Sequence, residues 1–166
     1  MKISDSVKYI GVDDTTLDLF ESQYVIPEGI SYNSYVIMDE KIAVMDTVDK
    51  CKTEEWLKNL SSVLDGRKPD YLVVHHLEPD HAGSIAGFME LFPETTLVGN
   101  AKTFLFLPQF FEENIAKNTL VVKEGDALSL GEHEKSTSRE TAEANNLLQR
   151  IIHWKCCLTG KVFAQR

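Results

Sequence analysis

Short apolar runs of four residues or so, separated by turn signals, set the rhythm of the first 130 residues. Tyr9 to Val12 reads as a strand turned by Asp13-Asp14, and Leu17, Leu19 and Tyr24-Val25-Ile26 lead to a second strand closed by Pro27-Glu28-Gly29. Tyr35-Val36-Ile37-Met38 and Ile42-Ala43-Val44-Met45 flank the turn Asp39-Glu40-Lys41 and predict a hairpin. The period then changes. Thr53 reads as an N-cap with Glu54 and Glu55 at the positive helix start, and Trp56, Leu57, Leu60, Val63 and Leu64 fall on one helical face up to Gly66. Pro69-Asp70 introduces the strand Tyr71-Leu72-Val73-Val74. Ser84 reads as the cap of a second helix through Ile85, Phe88, Met89 and Phe92, ended by Pro93. Leu97-Val98 is a short strand. Phe104 to Phe111 is helical in part, with a break at Pro108. Leu120 to Val122 and Ala127 to Leu130 read as a second hairpin about Glu124-Gly125-Asp126. This mixture predicts an α/β fold, an α+β sandwich with helices packed outside sheets.

The character changes after Gly131. Residues 1–131 carry 11 Lys+Arg against 22 Asp+Glu, a balance of −11, whereas residues 132–166 carry 6 against 4, a balance of +2. Thr137 to Glu140 has capping-box spacing, and Ala144, Leu147, Leu148, Ile151 and Ile152 share a helical face. No strand pattern continues. The expected division is therefore 1–131 as the structured domain and 132–166 as a divergent tail, helical or disordered. A net charge of −9 disfavours nucleic acid as a partner. No apolar run is long enough to span a bilayer, and the first six residues show no secretory signal pattern. Cys51, Cys156 and Cys157 form no disulfide framework, which suits a reducing compartment, and the cytoplasm is the expected location.

The candidate chemistry sits directly after the strand ending at Val74. His76, Glu78, Asp80 and His81 form an H-x-E-x-D-H pattern. Imidazole nitrogen and carboxylate oxygen both suit iron, manganese or zinc, and four donors this close serve two neighbouring ions better than one. The competing reading is a polar surface loop with incidental His and Asp. Among the neighbours, His75 alternates to the opposite side of the strand end and reads as a satisfied structural histidine. Asp46, after a buried strand, is either an orienting partner of the metal loop or a plain strand-end turn. Tyr32 and Tyr35 read as core, Trp56 as part of a helix face, and His133 as solvent-exposed. Gly83 reads as a turn glycine beside the metals. Cys156 and Cys157 diverge as neighbours, so an incidental role is expected.

The motif His76-Leu77-Glu78-Pro79-Asp80-His81-Ala82-Gly83-Ser84 resembles that of the flavodiiron proteins, or A-type flavoproteins. The stretches Ile10 to Val12, Gly29 to Tyr35, Ile42 to Val48, Val122 to Asp126 and Leu130-Gly131 are similar to the family as well, so the resemblance spans about four-fifths of the chain. It implies the first half of a metallo-β-lactamase-like αβ/βα fold. By resemblance, His76 and Glu78 bind the iron nearer the flavin, and Asp80 and His81 bind the other. The family reduces dioxygen to water, nitric oxide to nitrous oxide, or both. Its electrons come from flavin mononucleotide in a flavodoxin-like domain, supplied by a donor such as rubredoxin, and its head-to-tail homodimer brings one subunit's flavin beside the other's irons. Two parts of that pattern do not appear in this sequence: the flavodoxin-like domain, and the later ligands, a further His, a bridging Asp and a final His. Ile151-Ile152-His153-Trp154 is similar to the family's last ligand loop, but lies too far from Gly131 and has Lys155 where Pro is usual, so His153 is not counted as a ligand. The tail reads as divergent or frame-shifted sequence. The expectation is weak metal binding, no flavin and no turnover by this chain alone. Two alternatives stand beside the oxidoreductase reading: a non-catalytic metal-binding remnant, and a zinc hydrolase of the same superfold. Glu78 argues against the hydrolase, since those enzymes place a second His there.

Overall fold

A computed structural model describes residues 5–20, 24–111 and 115–131. Its centre is a six-stranded sheet in the order β1 (Val7–Tyr9), β6 (Tyr35–Met38), β7 (Ile42–Met45), β8 (Tyr71–Val73), β9 (Thr96–Gly99) and β10 (Asn118–Val121). The β6–β7 hairpin is antiparallel, with Val36 opposite Val44 as its alternation predicts. From β7 onward the strands run parallel, because helices carry the chain back between them. Helix α1 (Thr53–Leu64) joins β7 to β8, and α2 (Pro79–Ala82) and α3 (Ile85–Leu91) join β8 to β9. Helix α4 (Ala101–Phe106) and a 3₁₀ turn at Leu107–Gln109 lead toward β10, with Pro108 at the start of the turn.

All four residues of β7 are buried. Ile42 and Val44 face one side, where Trp56, Leu60 and Leu64 of α1 and Ile85, Phe88 and Met89 of α3 pack against Val36, Leu72 and Leu97. Ala43 and Met45 face the other side with Val7, Ile37, Val73, Val98 and Leu130. A strand covered on both faces reads as a continuous apolar run, which is why Ile42 to Met45 shows no alternation. Helix α3 has seven residues, too few to be stable alone, so burial of Ile85, Phe88 and Met89 holds it.

Several expectations are corrected. The strand expected over Tyr9 to Val12 is interrupted at Ile10-Gly11 and becomes β1 and β2 (Val12–Asp14). Asp13 and Asp14 lie within β2, not in a turn, and β2 pairs with β5 (Ile30–Tyr32), a strand the pattern did not reveal. Asp14 is tolerated there because Thr16 donates to it through both its amide and its hydroxyl, and Lys52 stands 3.4 Å away. The small pair β3 (Leu19–Phe20) and β4 (Tyr24–Val25) forms its own ribbon. Thr53 is the first residue of α1, not its cap; Asp49 caps the preceding 3₁₀ turn by accepting from the Cys51 amide. The second hairpin does not form among the described residues. β10 pairs in parallel with β9, and the Leu130 carbonyl accepts from the Lys41 amide instead. The expectations for the tail, including its helix, His133, His153, Cys156 and Cys157, lie outside the described residues.

Candidate metal centre

Pro79 organises the loop. It fixes its own φ for the first position of a helical turn and pushes the residue before it into an extended conformation. Glu78 is accordingly extended (φ −65°, ψ 146°), and the amides of His81 and Ala82 both donate to its carbonyl at 2.9 Å. The chain thus passes from an extended segment carrying His76 and Glu78 into a single turn, α2, carrying Asp80 and His81. The sequence pattern did not reveal this turn. The change of geometry sorts the donors into two pairs. Glu78 Oε2 lies 3.4 Å from His76 Nδ1, and Asp80 Oδ2 lies 3.4 Å from His81 Nε2. The rings of His76 and His81 sit side by side with centroids 4.0 Å apart. Glu78 is exposed, whereas Asp80 and His81 are partly buried.

The end of β7 clamps this turn. Asp46 lies at φ 56°, the left-handed region that costs a non-glycine residue about 1–3 kcal/mol. Its amide donates to the Val73 carbonyl, and its carbonyl accepts from the Ser34 hydroxyl, which accepts in turn from the Trp56 indole at 3.0 Å. Its carboxylate reaches into the loop. Oδ1 accepts from the His75 amide at 2.8 Å, and Oδ2 meets Nδ1 of His75 at 2.9 Å and Nδ1 of His81 at 3.0 Å. The next residue, Thr47, donates to the His81 carbonyl through both amide and hydroxyl, and its hydroxyl accepts from the Ser84 amide. Burial alone would raise the Asp46 carboxyl, but the hydrogen bonds and charge of His75 and His81 outweigh it and hold Asp46 well below the usual carboxylate range. An ionised carboxylate only accepts, so both rings present Nδ1–H to it.

Asp46 is therefore both of the things left open in the sequence, a strand-end turn and an orienting partner of the loop. His75 meets the expectation of a satisfied histidine only in part: Nδ1 is bonded to Asp46, whereas Nε2 is buried without a hydrogen-bond partner among the described residues, and the ring shares its partner with His81 as part of the site's framework. Tyr32 lies in the core. Burial, followed by the charges of Asp49, Cys51, Asp14 and Asp80, keeps its hydroxyl protonated well above neutral pH. Tyr35 packs edge-to-face on Tyr9. Gly83 lies in the turn between α2 and α3 at φ −58°, so close approach rather than backbone freedom calls for glycine there: a Cβ would meet the Lys50 amide and the Pro79 carbonyl at 2.6 Å. Ser34 and Trp56 were not recognised as supports of the site, because the bonds that involve them join residues distant in sequence.

The donor chemistry fits iron in part. Oxygen and imidazole ligands suit a hard to borderline divalent ion. Asp80 Oδ1 is buried without a hydrogen-bond partner among the described residues, which is a state a cation would relieve. Each pair supplies two ligands, and among the described residues no three His, Cys, Asp or Glu side chains converge as a closed shell. The loop thus offers two half-shells.

A family model described as "ODP family beta lactamase" matches residues 30–138. The chain belongs to this family, the β-lactamase-like domain of the flavodiiron proteins. A nitric oxide reductase of Moorella thermoacetica is 35% identical over 130 residues, covering 78% of this chain and 32% of that protein. The solved flavodiiron protein of Giardia intestinalis matches with a TM-score of 0.73 at 31% identity, over 79% of this chain and 32% of the other. Rubredoxin oxygen:oxidoreductase of Desulfovibrio gigas gives a TM-score of 0.70 at 32% identity, with the same coverage. The flavodiiron chain described here spans about a third of the length of the relatives it matches, over their N-terminal part. Its fold is the first part of a metallo-β-lactamase-like αβ/βα domain. Among its described residues, no helix is long and apolar enough to cross a membrane.

Proposed function

We propose that this chain supplies His76, Glu78, Asp80 and His81 to a non-haem diiron centre in an oxidoreductase that reduces dioxygen to water, nitric oxide to nitrous oxide, or both. The observation that carries the reading is the sorting of these donors into two pairs on one loop, with the two imidazoles 4.0 Å apart. His76 and Glu78 would hold one iron, and Asp80 and His81 the other. Two adjacent ferrous ions would offer a binding place for a diatomic gas and two electrons toward its reduction: enough to couple two nitric oxide molecules to nitrous oxide, and half of the four that dioxygen needs to become water, the rest coming from the external donor. The chain's own part is positional. Asp46 and Thr47 fix His81, and Pro79 separates the two pairs. Glu78 favours iron over zinc, because a carboxylate oxygen is a harder donor than a second imidazole would be.

Flavin mononucleotide in a flavodoxin-like domain, fed by rubredoxin or a similar donor, is the electron source this reading calls for. A homodimer would bring that flavin to the irons. The cytoplasm is the compartment we assign, on the strength of cysteine usage.

Elemental analysis after anaerobic purification with ferrous iron tests the proposal. Iron should be present at less than two per chain and should fall further in His81→Ala. Equal iron in the two proteins would overturn the assignment of His81. Two tightly held irons per chain would show that residues 132–166 supply the ligands the loop lacks, against the division of the chain at 131.

A further inference from the structure

The two outer strands of the six-stranded sheet are guarded differently. β1 carries Lys8 at its centre, a charge of the kind that keeps an edge from pairing with another chain. β10 reads Asn118-Thr119-Leu120-Val121, with no charge and no proline, and all four residues are exposed. Its inner side is bound to β9, and the ladder runs on past its end, where the Val122 amide donates to the Gly99 carbonyl. Backbone groups alternate along a strand, so those of Leu120 point at β9 and those of Thr119 and Val121 point away from the sheet. Among the described residues no strand takes them up.

The same margin is apolar. Nine large apolar side chains are exposed among the described residues, and five of them fall between residues 105 and 121. They are Leu105, Phe106 and Phe110 on α4 and around the 3₁₀ turn, and Leu120 and Val121 on β10, at 37 to 68% exposure. α4 and β10 are neighbours: a Cβ on Gly99 would meet Thr103 of α4 at 2.8 Å, and Val121 is registered beside Gly99 on the same face of the sheet. With roughly 150–200 Å² for a large side chain, the five expose on the order of 400–500 Å². A standard interface buries about 800 Å² on each partner, so this patch supplies about half, and paired backbone with a polar rim supplies the rest.

We propose that this margin joins two copies of the chain, β10 against β10 in antiparallel, about a two-fold axis beside Leu120. Thr119 of each copy then exchanges backbone hydrogen bonds with Val121 of the other, and the two Leu120 residues face each other as a non-hydrogen-bonded pair with Cα atoms about 4.5 Å apart. A second copy fits this edge because antiparallel pairing of identical strands is self-complementary, so one surface serves both partners. Lys117 comes to lie opposite Lys123 of the other copy, the one unfavourable pair, and Glu94 offsets it by its ion pair with Lys117. The contact needs neither iron nor flavin. An interface of this size pairs weakly, with a dissociation constant on the order of 10 µM.

Sedimentation velocity on the full 166-residue chain tests the pairing. The wild type should sediment as a monomer at about 1 µM and mostly as a dimer at about 100 µM. Val121→Lys should raise the dissociation constant at least about tenfold, as a lysine on an edge opposes pairing. Val25→Lys, on the exposed ribbon, should leave it unchanged. A cross-link locates the contact. Leu120→Cys, with Cys51→Ser, Cys156→Ser and Cys157→Ser to remove other thiols, should give a disulfide-linked dimer on mild oxidation, because Cα atoms about 4.5 Å apart lie within disulfide reach. Val25→Cys in the same background should stay uncrosslinked. Hydrogen exchange gives a further readout: the Thr119 and Val121 amides exchange fast in the dilute monomer and should become protected in the dimer.

A wild-type chain that stays monomeric at the higher concentration would overturn the proposal, and so would a dimer that Val121→Lys leaves intact. Open-ended aggregates that grow with concentration, in place of a dimer, count against it equally. Should Val121→Lys fail to fold, the Leu120→Cys cross-link decides alone: a dimeric protein without it would place the contact elsewhere.

Discussion

Asp46 sits in the left-handed region with its carboxylate enclosed between two histidines, and the cost of that backbone is offset by what the side chain holds. Hydrogen bonds to a buried charged group contribute about 1.5–3 kcal/mol each, with strong non-additivity. Asp46→Asn keeps the shape and tolerates the same φ, but turns an NH₂ toward N–H donors. It should lower stability by about 3 kcal/mol in urea denaturation at pH 7. The sign of the pH dependence follows from the depressed carboxyl. Its contribution is complete above the ordinary aspartate value of about 4 and is lost as pH falls through the lower folded value. The two proteins should therefore converge in stability in strong acid. Cys51 shows the opposite shift. Burial, then the hydrogen bond and charge of Asp49 and the charge of Asp14, push its thiol up to about 11. The thiolate is the reactive form, so alkylation of Cys51 by iodoacetamide should be slow at pH 8 and rise roughly tenfold per pH unit up to about 10, read by peptide mass spectrometry. A fast reaction at pH 8 would contradict the assigned surroundings.

At the scale of elements, the junction of α2 and α3 is held against the segment after β7 by backbone approach. Gly83→Ala would place a methyl 2.6 Å from the Lys50 amide and the Pro79 carbonyl, neither of which can rotate away. It should destabilise the chain by about 1–3 kcal/mol and displace α2, measurable as a lower urea midpoint with loss of the Thr47–His81 contacts. Trp56 is wholly buried and donates to Ser34, so Trp56→Phe should cost about 1 kcal/mol beyond its packing change. These elements also mark how far the sequence could be read. The β6–β7 hairpin, α1, β8 and α3 were legible because their apolar period is strong. β5 was hidden because Ser31 interrupts a strand of three residues between turn-forming Gly29 and Asn33. The second hairpin was misread because apolar alternation reports burial and says nothing of the partner strand; Leu120 is exposed on a parallel edge and Leu130 packs on the opposite face from α1. The four loop donors were legible as a local motif. The Asp46 network was not, because it joins residues 29 and 35 positions apart.

For the whole molecule, the sheet gathers its buried residues at β7 and β8 and exposes one edge. β10 is exposed along its length, as is β4 of the separate ribbon, whereas β7 has no exposed residue. Opening energies should follow that gradient, with amides of Ile42 to Met45 and Leu72 to Val73 the slowest to exchange and those of β4 and β10 the fastest. The stable centre is also the ground on which the loop is built: β8 leads into His75 and His76, β7 ends in Asp46, and the Asp46 amide ties the two through Val73. Paired donors on a loop at the end of a central strand are the physical core of the diiron proposal. Diffraction at the iron absorption edge, from crystals grown anaerobically with ferrous iron, tests it most directly. The account predicts anomalous density within coordination distance of His81 with Asp80, of His76 with Glu78, or of both pairs, and none there in His81→Ala for the first pair. Iron bound elsewhere on the chain, with the loop empty, would contradict it.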